Sequence, residues 1–250
     1  MTMICRVLPH EAGDGPGNMA LDEALLDSVA ADPSAAVART YSWSSPTLSL
    51  GYFQAVAEVE ADPRWRGVPV VRRPTGGGAL WHDKEMTYAV VIPASHPASR
   101  PSSALYRAIH AALAGRLRGF GIDAGLRGGD GPARESDARP FLCFTDRSPE
   151  DIVLRGGKVV GGAQRRRSGA VLQHGSLMLA RSPTTPELPG LSDLAPLPDG
   201  PVDWAETLQA ALLDALGLPA RADAVRPDER ARAGALRLAV YDDPAWTRRR

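Results

Sequence analysis

The chain has 250 residues, 44% of them hydrophobic, with 29 basic and 29 acidic side chains and a formal charge of zero. This composition supplies a core for one large domain, or one domain with a small appendage, and excludes wholesale disorder. Zero net charge gives no global field toward nucleic acid or a membrane surface. The sequence also shows neither a signal peptide nor an apolar run near the roughly 18–20 residues of a membrane span. A cytoplasmic protein with neither nucleic-acid nor membrane partners is therefore expected.

In chain order, Cys5–Leu8 reads as a short strand. Asn18 then precedes MALDEALLDSVA, where Leu21, Leu25 and Val29 fall four apart and Leu26 widens the stripe. The spacing predicts an amphipathic helix capped by Asn18, with acids in its first turns. Strands are expected at Ala38–Trp43 and Leu48–Phe53, joined by an SSPT turn, with a short helix within Val56–Trp65. Val68–Arg73 and Thr87–Ile92 read as strands on either side of a glycine-rich segment. Leu105, Ile109, Leu113 and Leu117 repeat every four residues and predict the longest helix, Ser102–Phe120, with Gly119 and Gly121 at its end.

Leu126–Arg139 is polar and Gly-rich and reads as a mobile loop, followed by the short apolar stretch Pro140–Phe144. Asp151–Leu154, Lys158–Val160 and Ala170–Leu179 read as strands. Gly156 and Gly157 suit a hairpin turn, and Arg165–Gly169 a polar loop. Residues 182–201 hold six prolines and read as a connector. Trp204–Leu216 and Pro227–Leu238 then read as helices. The expected organisation is a domain over 1–181, a Pro-rich connector over 182–201, and C-terminal helices over 202–250 packing on that domain. The order is not a regular βαβ alternation, so the fold class is α/β with a mixed, largely antiparallel sheet and helices packed on one side.

Two cysteines, Cys5 and Cys143, make neither a disulfide scaffold nor a metal-ligand spacing, and free thiols fit a reducing compartment. Lysine is scarce: only Lys84 and Lys158 are present, so 27 of the 29 basic residues (29 − 2) are arginine. A lysine retained here hints that a compact ammonium with an adjustable pKa is wanted.

The segment VVRRPTGGGALWHDKEMTYAVV is the most informative in the chain. Gly76, Gly77 and Gly78 permit positive φ and close backbone approach. They suit either a tight strand–strand turn or an anion-binding nest to which Arg72 or Arg73 adds charge. The segment is neither a Walker A loop nor a dinucleotide fingerprint. His82–Asp83 is open to reading as an acid/base pair or as a structural hydrogen bond.

RRPTGGGALWHD resembles the signature of the protein ligases and transferases that handle lipoate and octanoate. The resemblance extends upstream to NMALDEALL and TLSLGYFQ, and downstream to GGKVVGGAQRRRSGAVLQHGSLML, covering about residues 18–180 in the same order. It implies an α/β catalytic domain shared with biotin protein ligases and, distantly, with class II aminoacyl-tRNA synthetases. It implies a catalytic role for Lys158 in GGKVVGGAQ, and a substrate site drawn from Arg72, Arg73, Gly76, Gly77, Gly78, His82, Gly161, Ala163 and His174.

The family contains ATP-dependent ligases that form an acyl-adenylate, and cofactor-free octanoyltransferases that pass the chain through a cysteine thioester. Cys143 in PFLCF lies fifteen residues before Lys158, where one transferase branch keeps its nucleophile. The sequence departs from that branch at Glu150 and Asp151, where an aromatic residue and a glutamate are usual. The implied function is octanoyl transfer from acyl carrier protein to a lysine of a lipoyl domain or a glycine-cleavage H-type protein, with no cofactor and no metal. The alternatives are a ligase using ATP and Mg, and a non-catalytic carrier-binding subunit. A thiolate is the attacking species, and a neighbouring Lys158 ammonium favours it. With Cys143 mobile on the preceding loop, the empty enzyme is expected to show the two apart. Cys5 and Lys84 are expected to be structural and solvated, respectively.

Overall fold

The computed structural model describes residues 3–129 and 140–250. In chain order its elements are β1 (Ile4–Val7), β2 (Glu11–Gly13), α1 (Gly15–Ala31), β3 (Ala35–Trp43), β4 (Thr47–Leu50), α2 (Ala57–Ala61), β5 (Val70–Arg72), β6 (Leu80–His82), β7 (Glu85–Pro93) and α3 (Ser102–Gly119). There follow β8 (Gly125–Leu126), β9 (Ile152–Leu154), β10 (Gly157–Arg167), β11 (Ala170–Met178), α4 (Leu191–Leu194), α5 (Trp204–Leu216), β12 (Ala220–Ala222) and α6 (Pro227–Leu236). The expected loop at 126–139 lies largely outside the described residues.

The main sheet runs β12–β1–β3–β7–β11–β10–β9–β8, with β2 also on β3. Pairing is parallel from β12 through β3 and antiparallel from β3 onward. A small sheet, β5–β4–β6, stands apart. The fold is thus a mixed, largely antiparallel sheet with packed helices. The helices cover both faces, however, not one. Along β7, Tyr88, Val90 and Ile92 enter one core with α3 and α5, while Ala89 and Val91 enter a second with α1 and Leu236 of α6. β3 alternates in the same way, with Ala36 and Ala38 opposed to Val37 and Tyr41. The continuous apolar run Ala89–Ile92 is the signature of a strand buried on both sides.

Local departures have physical causes. Asp14, not Asn18, caps α1 by accepting from the Gly17 N–H, with Pro16 in the first turn. Asn18 lies inside the helix, where its amide donates to the carbonyls of Gly13 and Ser42. Asp22 and Glu23 are buried side chains rather than dipole-matched surface acids. β10 continues to Arg167 because β11 pairs with it throughout, so the polar loop shrinks to Ser168 and Gly169, both at positive φ. The short strands β6 and β12 carry too few residues for a periodic signal. Residues 182–201 include α4 and bury Leu188 and Leu191; beyond them α5 joins the first core and β12 pairs with β1. Among the described residues no helix is long and apolar enough to cross a membrane.

Candidate active site

The β9–β10 hairpin turns at Arg155 and Gly156, with φ of 47° and 82°, matching the left-handed pair a two-residue hairpin requires. A bulge between Lys158 and Val160 follows. It lets Val159 and Val160 both enter the core while Lys158 turns toward the chain arriving from the 3₁₀ turn Cys143–Thr145. The Lys158 ammonium lies 3.9 Å from Cys143 Sγ and donates to the carbonyls of Cys143 and Asp146, at 3.2 Å each. Its closest contact is the Asp151 carboxylate at 2.9 Å, a pair with side chains only 4% and 6% exposed. Burial alone would lower the lysine, but the negative charges of Cys143 and Asp151 outweigh it and hold Lys158 above its ordinary value. The structure therefore brings the two catalytic candidates together, against the expectation that they would stand apart.

The cysteines have opposite surroundings. Cys5 is fully buried on β1, and desolvation pushes its thiol up to about 12. Cys143 is half-buried and borders a pocket. Met19, Trp43, Leu80 and Phe144 give that pocket an apolar wall, and Gly161–Ala163 form another side. Gly161 has a local reason to be glycine: an added Cβ would sit 2.5 Å from Lys158 Cε. The lysine stem occupies the space a side chain would need.

The glycine loop supports the turn that carries Cys143. Ala79 N donates to Phe141 O at 2.7 Å and Cys143 N donates to Ala79 O at 2.8 Å. A Cβ on Gly78 would come within 2.9 Å of both Phe141 O and Cys143 N. Arg73 fastens the loop, donating to Gly76 O at 2.7 Å and Gly78 O at 2.6 Å, and to Ser49. Its charge is thus spent on carbonyls, although the side chain borders the pocket. Arg72 points elsewhere: its guanidinium donates to the carbonyls of Gly51, Gln54 and Thr247, so it is not brought to the pocket.

Both histidines line the pocket as parts of saturated networks. His82 donates through Nδ1 to Glu85, accepts from Ser49 through Nε2, and stacks on Trp43 at 3.7 Å. Desolvation lowers its pKa despite Glu85, so it is neutral. Asp83 is not its partner; that carboxylate accepts from Ser182. His174 bridges Thr75 Oγ1 at 2.6 Å and Asp22 at 2.9 Å. Asp22 also accepts from Arg39 and Tyr41; these donors overcome the penalty of burial and hold it below the usual carboxylate range.

Comparison with known proteins now decides the family. The pattern of the lipoyl protein ligase A/B catalytic domain matches residues 14–185. The chain belongs to this family. It is 34% identical to octanoyltransferase LipM of Symbiobacterium thermophilum, over 98% of each chain. It is 39% identical to octanoyltransferase LipM of Kyrpidia tusciae, over 71% of this chain and 67% of that one. A crystal structure of lipoate-protein ligase A bound with ATP superposes with a TM-score of 0.76 at 23% identity, covering 98% of this chain and 99% of that one. A bipartite lipoate protein ligase from Thermoplasma acidophilum gives 0.72 at 21%, covering 99% and 96%. These two establish the shared lipoyl protein ligase fold.

Sequence reasoning missed Asp151, which stood out only as a departure from the branch pattern. A carboxylate seven residues before Lys158, across a two-residue hairpin, was the available signal. It also missed Asp22, whose partners lie on β3 and β11, far off in sequence.

Proposed function

We propose that this chain is an octanoyltransferase of protein lipoylation. It takes an octanoyl group from acyl carrier protein onto Cys143 and passes it to a lysine of a lipoyl carrier domain, such as an H-type protein. The observation that carries the reading is the half-buried Cys143 thiol, 3.9 Å from the Lys158 ammonium at the edge of an apolar pocket. The names of the two relatives agree with it.

The Cys143 thiolate attacks the thioester carbonyl, and the carrier sulfur leaves with a proton from the Lys158 ammonium, which leaves that lysine neutral. A thioester-to-thioester exchange is nearly isoenergetic, so no ATP is required. The neutral amine of the acceptor lysine then attacks the acyl-enzyme. Its nitrogen–carbon bond forms, the Cys143 sulfur–carbon bond breaks, and a proton passes to Lys158. Met19, Leu80 and Phe144 receive the alkyl chain.

The test uses the purified protein with octanoyl acyl carrier protein and an apo lipoyl domain, without ATP. In parallel, the protein is mixed with free lipoate, ATP and Mg. Octanoylation in the first mixture and none in the second is expected. Modification only in the second would move the assignment to an adenylate-forming ligase, and none in either would leave a carrier-binding subunit.

A further inference from the structure

We propose that Asp151 is a positioning residue for this transfer: its carboxylate holds the Lys158 ammonium against Cys143 and keeps a fixed negative charge beside that lysine through the whole cycle. The proposal rests on the function proposed above and concerns the same site.

Among the described residues, four polar groups surround the Lys158 nitrogen, which also faces the Phe144 ring at 5.0 Å: the Asp151 carboxylate at 2.9 Å, the carbonyls of Cys143 and Asp146, and the Cys143 sulfur. Two of these balance its charge by direct contact. The sulfur does so only as a thiolate, and acylation removes that charge. From then on, among the described residues, Asp151 is the anion in direct contact with the lysine. A buried ammonium stripped of its counter-ion is strongly disfavoured, so without Asp151 the lysine is driven toward its neutral form.

The carboxylate is itself held rigidly. Asp151 Oδ2 accepts from Ser148 N at 2.6 Å, and Asp151 O accepts from Arg127 N at 2.8 Å. The adjacent Glu150 carbonyl accepts from His110 Nδ1 at 2.6 Å. His110 Nε2 in turn accepts from Tyr88, whose oxygen accepts from Gln173. A buried column of hydrogen bonds therefore ties the Asp151 turn to α3 and the central strands.

The charged and titratable groups facing the pair are Asp146 and Glu150 on its own segment, Tyr106 and His110 on α3, Tyr88 on β7, and Arg73 behind the glycine loop. Burial pushes both phenols up and lowers His110, so these three are neutral near pH 7. Asp146 accepts from the lysine through its carbonyl, and its charge adds to those of Cys143 and Asp151 in holding the lysine up.

The proton balance follows. In the first step Cys143 S–C forms, the carrier C–S bond breaks, and the carrier sulfur takes a proton from the Lys158 ammonium. In the second, the neutral lysine beside Asp151 takes the proton of the attacking amine, and Cys143 leaves as thiolate. Lys158 ends as it began.

The experiment compares Asp151→Asn and Asp151→Glu with the parent. Cys143 alkylation by iodoacetamide is followed from pH 5 to 10, and transfer kinetics are measured with octanoyl carrier protein. Asp151→Asn keeps the shape and removes the charge. It is expected to slow alkylation at pH 7 about tenfold, to move the profile to higher pH, and to lower kcat with little change in KM for the carrier. Asp151→Glu is expected to restore the alkylation profile but only part of kcat. A folded Asn variant whose alkylation profile superposes on the parent's overturns the proposal, whatever its kcat. If the Asn variant does not fold, Asp151→Glu decides, and transfer at the parent rate overturns the positioning role. A parent that never takes octanoate from the carrier, yet shows the alkylation shift in Asp151→Asn, refutes the octanoyltransferase reading and leaves Asp151's control of the pair standing.

Discussion

Two polar clusters border the same pocket and obey different rules. Around His82 and His174 both ring nitrogens of each imidazole are occupied, and the carboxylates behind them, Glu85 and Asp22, are buried and multiply bonded. Around Cys143 the lysine is saturated, with Asp151 and two carbonyls, but the sulfur stays half-buried, its hydrogen-bonding contact among the described residues being the 3.9 Å one to that lysine. A buried polar group with every valence met stabilises a wall. A nucleophile held near a fixed charge and left open to the pocket is free to react. The histidines, which attract attention in a sequence, belong to the first kind.

Breaking the open cluster should affect chemistry far more than folding. Lys158→Arg keeps the charge but cannot act as a compact proton acceptor, and is expected to lose about 10²–10⁴-fold in transfer while unfolding cooperatively near the parent temperature. Single-turnover assays and thermal melts check this; near-parental turnover would show that charge alone suffices. Gly161→Ala is expected to be milder. Its methyl group would fall on Lys158 Cε, and a displacement on the order of 1 Å costs roughly 10²-fold in kcat. Steady-state kinetics with unchanged far-UV circular dichroism would bear it out; unaltered kcat would mean the lysine has slack.

Breaking the saturated cluster should do the reverse. Thr75→Val removes the hydroxyl that donates to His174 and leaves a buried acceptor unmet, costing about 1–3 kcal/mol of stability. Denaturant melts measure the loss, and the acyl adduct on Cys143 should still form. The mildest effect is expected from pH. His82 and His110 are lowered in the folded protein by desolvation, so between those values and the ordinary histidine value the unfolded chain binds more protons. Stability from these histidines is fully present above about pH 6.5 and falls as pH drops through their folded values. Melts at constant ionic strength test the sign; a rising melting temperature below pH 6.5 would contradict it.

The same contrast explains what the sequence disclosed. Four-residue repeats located α1 and α3 because their partners repeat within one helix, and the motif order marked Cys143 and Lys158. The burial of α1's acids was hidden, since Asp22 reads as a first-turn acid until Arg39 and His174 arrive from β3 and β11. Arg72 and Arg73 are adjacent in sequence, yet Arg72 serves carbonyls near the C-terminal segment and Arg73 the glycine loop. Period-two alternation separated them, and no composition argument assigns the faces. Asp151 was visible but lacked a partner until the hairpin closed.

The central claim is that Cys143 carries the acyl group. Intact-mass spectrometry after incubation with octanoyl acyl carrier protein tests it most directly. One hydroxylamine-sensitive octanoyl adduct is expected in the parent and in Cys5→Ala, and none in Cys143→Ala. A Cys143→Ala variant that still transfers octanoate to a lipoyl domain at the parent rate would contradict the account.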